Sequence, residues 1–427
     1  MTRNFFRLGA ALTAMTLALV SCDPTPYNID DDEDEGGGEE PEVVVTEFQT
    51  AAEAVAAMGP GWNVGNTLES NSGDCSNMWI EAFTDRTVKD YETAWGQPVI
   101  TRALIHMFKE AGFGAIRVPV TWYPHMGKLN ITTGPNENGD WKGFWKQSDW
   151  VGTDVDPVWM ARVKEVVGYV IDEGMYCILN VHHDTGTSDT AWLVASESNY
   201  TLQKSRYEAL WEQIANEFKD YPETLLFESY NEMTDPYGSW CFASYATKNR
   251  YDADVAKSAY KAINSYAQLF VDTVRGTGGA NATRNLIVNT YAACSGAGTW
   301  NSRLKDPLKN MSLPTDSAKD HLALEIHSYW DAGTYKTSEL DDMFSAISSN
   351  LQTKAPVIVG EWGVTSDTST SAGMKQAADF ATDFVTKARK AGCATFWWMG
   401  LSDGEDRSVP KWSMPMVKDA IIAAYAQ

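Results

Sequence analysis

Two short segments far apart in the chain carry the residues best suited to chemistry. One reads Phe227-Glu228-Ser229-Tyr230-Asn231-Glu232, the other Val357-Ile358-Val359-Gly360-Glu361-Trp362-Gly363. Each is an apolar, strand-like run that ends in a carboxylate, which places Glu232 and Glu361 at two strand tips. Two carboxylates at the mouth of a barrel can protonate a leaving oxygen and attack the carbon it leaves, the chemistry that cleaves a glycosidic bond. These residues therefore predict an enzyme that cuts a polysaccharide.

Bringing two such tips together needs a closed framework, and the rest of the chain supplies one. Strands are expected at Gly61–Gly65, Gly114–Pro119, Tyr176–Val181, Leu225–Tyr230, Asn285–Asn289, Leu322–His327, Pro356–Gly360 and Ala394–Trp398. They are short and continuous in Val, Ile and Phe, as strands buried on both faces are. Between them run amphipathic patterns at Thr101–Ala111, Pro157–Glu173, Leu202–Asp220, Ala253–Arg275, Glu339–Leu351, Met374–Ala391 and Met416–Tyr425. Gly112, Gly174 and Gly392 fall where helix C-caps belong. The connection after the fifth strand lacks a clear helix. Eight strands in β–α alternation imply a parallel sheet, and eight is the number that closes a barrel. The expected fold is a (β/α)8 TIM barrel of the α/β class in one catalytic domain, residues 47–427. An open sheet is the rival, but no Gly-rich phosphate loop follows any strand. Glu47–Met58 reads as a short helix capping the barrel floor. The stretches Ser70–Tyr91 and Gly127–Asp156 read as long, aromatic-bearing loops at the catalytic face.

In such a barrel the strand C-termini carry function. They hold Asn66, Arg117, His182, His183, Asn231, Glu232, His327, Tyr329, Glu361, Trp397 and Trp398. A random set of buried strand ends would be apolar, and this one is not. Glu228 and Glu325 lie inside strands. By strand parity Glu228 shares its face with Glu232, so a buried, paired role suits it better than catalysis.

Seven motifs in order resemble glycoside hydrolase family 5. They are Gly61-Trp62-Asn63-Val64-Gly65-Asn66-Thr67-Leu68, Glu92-Thr93-Ala94-Trp95-Gly96, Ile116-Arg117-Val118-Pro119-Val120, Asn180-Val181-His182-His183, Asn231-Glu232, His327-Ser328-Tyr329 and Gly360-Glu361-Trp362-Gly363. The resemblance runs from about Thr50 to the C-terminus and is strongest to the bacterial endo-β-1,4-glucanase and xyloglucanase branch. It implies a retaining mechanism with Glu232 as general acid/base and Glu361 as nucleophile, the two about 5–5.5 Å apart. Arg117 and Tyr329 are expected to favour the ionised form of Glu361, whose charge raises the pKa of Glu232, while His327 orients Glu232. Asn231 and His182 are expected to meet hydroxyls of the sugar in subsite −1. His183 has two readings, cleft or core, since neighbours on a strand face opposite ways. The same parity divides Trp397 from Trp398, and the resemblance favours Trp398 as the stacking platform. Trp79, Trp141, Trp145 and Trp150 in the long loops are stacking candidates, with simple packing expected for about half of such residues. After the eighth strand, Met399-Gly400-Leu401-Ser402-Asp403-Gly404-Glu405 departs from the short Asp-Asn-Gly-type turn of many relatives, which leaves substrate preference open.

The N-terminus reads as a targeting device. Arg3 and Arg7 precede an apolar run from Gly9 to Val20, too short to span a bilayer, and Leu19-Val20-Ser21-Cys22 looks like a bacterial lipobox. Residues 1–21 are then a signal peptide, and Cys22 becomes a lipidated N-terminus. Residues 22–46 form an acidic tether: Asp23–Glu42 holds ten acidic residues and no Lys or Arg, a composition that cannot build a core. The tether supplies much of the formal charge of −23. Acidity argues against nucleic acid as a partner, and leaves the lipid as the only link to a membrane. The expected partner is an uncharged polysaccharide, a β-glucan. The expected location is the cell surface or outer membrane of a bacterium, and the expected state a monomer. Five further cysteines, Cys75, Cys177, Cys241, Cys294 and Cys393, form no C-x-x-C and so indicate no zinc site. Cys177 and Cys393 read as core residues, and a Cys75–Cys241 disulfide is left open.

Other readings make distinguishable demands. Mannanase or xylanase activity would arise from the same carboxylates with different loops. A non-catalytic glycan-binding lipoprotein should have lost a carboxylate, yet both remain. A metallohydrolase would use His182, His183, Asp184 and His327, but adjacent strand histidines do not share an ion easily and no H-x-x-x-H accompanies them. No metal or cofactor is expected.

Overall fold

The computed structural model describes residues 48–239, 252–296, 306–399 and 410–426. The expected signal segment, Cys22 and the expected tether lie outside the described residues. All eight expected strands form, as β1 (Pro60–Asn63), β2 (Ala115–Val118), β3 (Tyr176–Asn180), β4 (Leu225–Glu228), β5 (Leu286–Cys294), β6 (Leu322–Trp330), β7 (Val357–Val364) and β8 (Ala394–Trp397). They close into a parallel barrel in chain order. A helix follows each strand: Arg102–Ala111, Pro157–Asp172, Glu197–Glu217, Ala253–Gly276, Pro307–Asn310, Thr337–Asn350, Ser371–Lys390 and Pro415–Tyr425. The weak fifth connection is a single turn, Pro307–Asn310. Local signals explain the boundaries. Thr101 and Asp156 cap the first two N-termini through their side chains, and Pro157 occupies the first turn. Gly112 caps a C-terminus in the left-handed region at φ 99°, where a side chain is disfavoured.

The barrel interior is layered by strand parity. Its lowest layer is apolar: Ala115, Ile178, Leu226, Ile287, Ala323, Ile358 and Phe396 cluster with Ala51, Ala54, Val55 and Met58 around the leading helix Ala51–Ala57. That helix plugs the floor, as expected. Two residues further along each strand, the inward positions are Asn63, Arg117, Asn180, Glu228, Asn289, Glu325, Gly360 and Trp398. One period-two step thus turns the interior from apolar to polar and marks where the site begins. The outward faces pack on the helices. Trp211, for instance, lies 5.7 Å from Phe227 and 4.5 Å from Phe270 between ring centroids.

The two long loops are more ordered than the sequence suggests. The first carries short helices at Trp79–Phe83 and Val88–Glu92. The second folds as two antiparallel pairs, Met126–Leu129 with Trp150–Val155 and Thr132–Pro135 with Trp141–Phe144. These strands lack apolar alternation because they lie at the surface, and they escaped a reading based on buried runs. Cys75 is a free thiol, so it forms no disulfide with Cys241, which lies outside the described residues. Cys294 is disulfide-bonded, and Cys177 and Cys393 are buried and free. Among the described residues no helix is long and apolar enough to cross a membrane.

Candidate active site

Arg117 organises the site. The residue is fully buried, and each of its five N–H groups has an acceptor. Nε and Nη2 grip Glu228 at 2.6 and 2.8 Å. Nη2 also reaches Asn231 Oδ1 at 2.9 Å, while Nη1 donates to Asn63 Oδ1 at 3.0 Å and to Glu361 Oε1 at 2.8 Å. Asn63 in turn donates to the backbone oxygen of Gly360 at 2.9 Å, tying the guanidinium to β7. Glu228 is therefore the buried counter-charge of Arg117, with Asn180 and Asn289 donating to its Oε1 at 3.1 and 3.2 Å. The parity argument against a catalytic Glu228 is consistent with this geometry.

Glu361 is held from two sides. Arg117 takes Oε1, and the Tyr329 hydroxyl donates to Oε2 at 2.6 Å. Glu232 meets Nδ1 of His327 at 2.8 Å, and the same nitrogen lies 3.4 Å from Glu361 Oε2. One carboxylate oxygen each of Glu232 and Glu361, with a His327 nitrogen, lie within 4.8 Å of one another. The two acids differ in environment. Burial and then the negative charge of Glu361 push the Glu232 carboxyl well above the usual carboxylate range. Burial also raises Glu361, but Arg117 and the Tyr329 hydrogen bond pull against it. The expectation that Arg117 and Tyr329 favour ionised Glu361 is right for those two interactions, yet burial outweighs them. His327 is held neutral by burial and by Arg117.

His182 lines the same hollow. Its Nδ1 lies 3.0 Å from Asn180 Nδ2, and its Nε2 lies 3.7 Å from Glu361 Oε1. Burial keeps the ring neutral. Asn180 gives its N–H to Nδ1, so Nε2 carries the proton and points a donor toward Glu361. Trp398, half-buried, stacks parallel to His182 with ring centroids 5.5 Å apart. A Cβ on Gly65 would sit 2.9 Å from the Trp398 ring, so the absence of a side chain there makes room for the platform. Trp397 is buried in the core, edge-on to Trp362 at 4.9 Å. His183 is half-buried between Trp95 and His182, at 5.3 and 4.5 Å, so it belongs to the cleft wall. Asn66 adopts a left-handed φ of 58°. Its backbone N–H is held by Glu69, and its side chain makes no hydrogen bond among the described residues.

A barrel floored by an apolar plug, with two carboxylates set apart by their surroundings, has clear relatives. The family model for cellulase (glycosyl hydrolase family 5) matches residues 79–403. The chain belongs to glycosyl hydrolase family 5. This family 5 enzyme is 44% identical to a GH5-4 broad specificity endoglucanase from an uncultured bacterium, covering 90% of this chain and 98% of that one with a TM-score of 0.76. A family 5 enzyme from Prevotella bryantii B14 is 39% identical, with 88% and 99% covered and a TM-score of 0.71, and a mutant of it has been solved in complex with a xyloglucan tetradecasaccharide. Endoglucanase A of Clostridium longisporum is 29% identical over 403 residues, 90% of this chain and 68% of that protein.

Several residues of the family 5 enzyme's site were given no role beforehand. Asn63, Asn180 and Asn289 occupy the polar layer beside Glu325, which was noted only as lying inside a strand, and parity with Arg117 and Glu228 would have found them. Asp184, considered above as a metal ligand, is instead filled by protein donors: Trp122 and Tyr123 backbone N–H groups at 2.8 Å and the Trp192 indole at 2.6 Å. Of the loop tryptophans, Trp145 and Trp150 are buried, the first stacked on Tyr123 and the second under Arg206. Trp79 is half-buried and Trp141 exposed. In the Met399–Glu405 loop, only Met399 lies within the described residues.

Proposed function

We propose that the enzyme is a retaining, endo-acting β-1,4-glucanase in which Glu232 is the acid/base and Glu361 the nucleophile. The observation that carries this reading is the spacing of the pair, with oxygens of Glu232 and Glu361 within 4.8 Å. An inverting pair stands about 6.5–9.5 Å apart to admit a water, whereas direct attack needs closer carboxylates. Protonated Glu232 gives its proton to the departing glycosidic oxygen as Glu361 attacks the anomeric carbon. The C–O bond to the leaving sugar breaks and an ester to Glu361 forms. That esterification removes the charge that raised the Glu232 pKa, so Glu232 can take a proton from the water that attacks the anomeric carbon; the ester C–O bond breaks, Glu361 leaves as a carboxylate, and Glu232 is left protonated for the next cycle. In this reading Nε2–H of His182 and the amide of Asn231 would meet sugar hydroxyls, and Trp398 would offer a flat face to a pyranose. The geometry to the sugar is common to mannanase and xylanase action, but the endoglucanase relatives favour a glucan. The xyloglucan complex of the Prevotella bryantii relative supports including branched glucan among the substrates.

The test is reducing-sugar release by residues 47–427 from carboxymethylcellulose, barley β-glucan, xyloglucan, mannan and xylan, beside a Glu361→Ala control. Activity on a β-glucan that vanishes in the control is the expected result. Silence on all five with binding retained would make this a glycan-binding protein. We also propose export and tethering through lipidated Cys22, with the enzyme acting as a monomer at the cell surface, on the strength of the Leu19–Cys22 motif and the acidic segment behind it. Metabolic labelling with a fatty acid should mark the wild type and not Cys22→Ser.

A further inference from the structure

Glu325 is a fully buried carboxyl in the polar layer, and neither step of the mechanism uses it. Few groups around it could stabilise a charge: Arg117 and, in one tautomer, the Nε2–H of His327. The nearest cation is Arg117, with Nε 3.5 Å from Glu325 Oε1, yet all five Arg117 N–H groups are directed at Glu228, Asn63, Glu361 and Asn231. No N–H or O–H donor among the described residues reaches Glu325 Oε2. An anion so placed would be unsolvated and close to the charges of Glu228 and Glu361. A neutral acid would instead be a donor. Glu228 is within hydrogen-bond contact, but its oxygens already accept from Arg117 Nε and Nη2, Asn180 and Asn289; the other acceptor is His327 Nε2, 3.2 Å from Glu325 Oε1.

We propose that Glu325 is a positioning residue that stays un-ionised, donates its proton to Nε2 of His327, and so fixes His327 as the Nδ1–H tautomer. The consequence reaches Glu232. Nδ1–H then donates to Glu232 Oε1 at 2.8 Å, so the proton of the general acid must ride on Oε2. In the other tautomer, an Nδ1 lone pair would capture the Glu232 proton and hold it away from the glycosidic oxygen. Burial, followed by the neighbouring Glu228 charge, raises the Glu325 carboxyl well above the usual range, in agreement. The backbone is shaped for this contact. Ile326 pairs with Val359 but His327 pairs with Glu361, so Gly360 is bulged out of register, and a Cβ there would lie 1.6 Å from Glu325 Oε1. The titratable groups facing Glu325 are Arg117, Glu228, His327 and Glu361.

The proposal rests on Glu232 being the acid, and the two ideas fail separately. Long-range 1H–15N spectra of the wild type, selectively labelled at histidine and assigned against His327→Gln, read the tautomer without turnover. A protonated Nδ1 with a bare, accepting Nε2 is expected. A protonated Nε2, or an imidazolium, overturns the proposal even if the enzyme is active. Kinetics supply the second arm. Glu325→Gln, permanently neutral and still a donor, should keep kcat on β-glucan within about threefold, with KM and the basic limb of the pH profile unchanged. Glu325→Met, which cannot donate, should lose about 10–100-fold in kcat at similar KM, as misdirected acid catalysis would cost. Full kcat in Glu325→Met, or equal collapse of both variants, overturns it. The acid role of Glu232 would fail on its own account if Glu232→Ala lost as much rate on an aryl glucoside with a good leaving group as on the glucan.

Discussion

The hydroxyl of Tyr329 lies 2.6 Å from Oε2 of Glu361, on the opposite side of the carboxylate from Arg117. A short bond of this kind to a charged acceptor is worth about 1.5–3 kcal/mol, and it favours the ionised nucleophile. Tyr329→Phe removes the donor and leaves the ring. Its kcat/KM should fall about 10–100-fold. The sign of the pH effect follows. A weaker hold on the anion raises the Glu361 pKa, so the acidic limb of the kcat/KM profile moves to higher pH. An unmoved limb would mean that Tyr329 only packs.

The charge of Glu361 also sets the state of Glu232. Burial and Glu361 both raise the Glu232 carboxyl, and only the second can be removed by one substitution. Glu361→Gln keeps the shape and deletes the charge, so the Glu232 pKa should fall. Carbon-13 titration of the glutamate carboxyls in the two proteins would measure this. A Glu232 pKa that stays put or climbs would show that the two acids are not coupled, and would remove the basis for Glu232 turning from acid to base.

How much of this was legible beforehand divides along physical lines. All eight strands, and the placing of Arg117, Tyr329, His327 and Trp398 at strand ends, followed from apolar runs; the roles of those four residues came from the resemblance to family 5. The surface strands Met126–Leu129 and Trp150–Val155 did not, because pairing at a surface leaves no buried-run signature. Asn180 stood in a recognised motif, yet its work of giving one N–H to His182 and another to Glu228 depends on contacts across the barrel. The bulge at Gly360 was equally hidden. It slips the β6–β7 register by one residue and brings His327 opposite Glu361, a shift that a period-two reading of either strand alone cannot contain.

Arg117 joins stability to activity. Its buried guanidinium faces Glu228 and Glu361 together, so Arg117→Met strands two carboxylates. Removing one partner of a buried pair costs about 3–5 kcal/mol, and a large drop in thermal midpoint is expected. Adding Glu228→Gln removes one stranded charge and should restore much of that loss. Activity should not return with it, because Glu361 still lacks its counter-charge. Differential scanning calorimetry beside β-glucan hydrolysis would separate the two. Recovery of both together would reduce Arg117 to a structural residue.

Gly360 offers a test of packing at the centre of the site. A methyl group there would fall 1.6 Å from Oε1 and 2.2 Å from Cδ of Glu325, both in a fully buried strand pair with no room to retreat. Gly360→Ala should therefore destabilise by about 1–3 kcal/mol or more, as overpacking does, and should push the Glu325 carboxyl away from His327 Nε2. Trimming Glu325 to alanine in the same chain removes the obstruction, so the two substitutions should be strongly non-additive in stability. The rate should not follow the stability. Glu325→Ala/Gly360→Ala would fold better than Gly360→Ala yet still lack a donor to His327, and its kcat on β-glucan should stay low. Additive thermal midpoints would show that the alanine methyl is accommodated elsewhere, and would break the link between the bulge and the carboxyl it shelters.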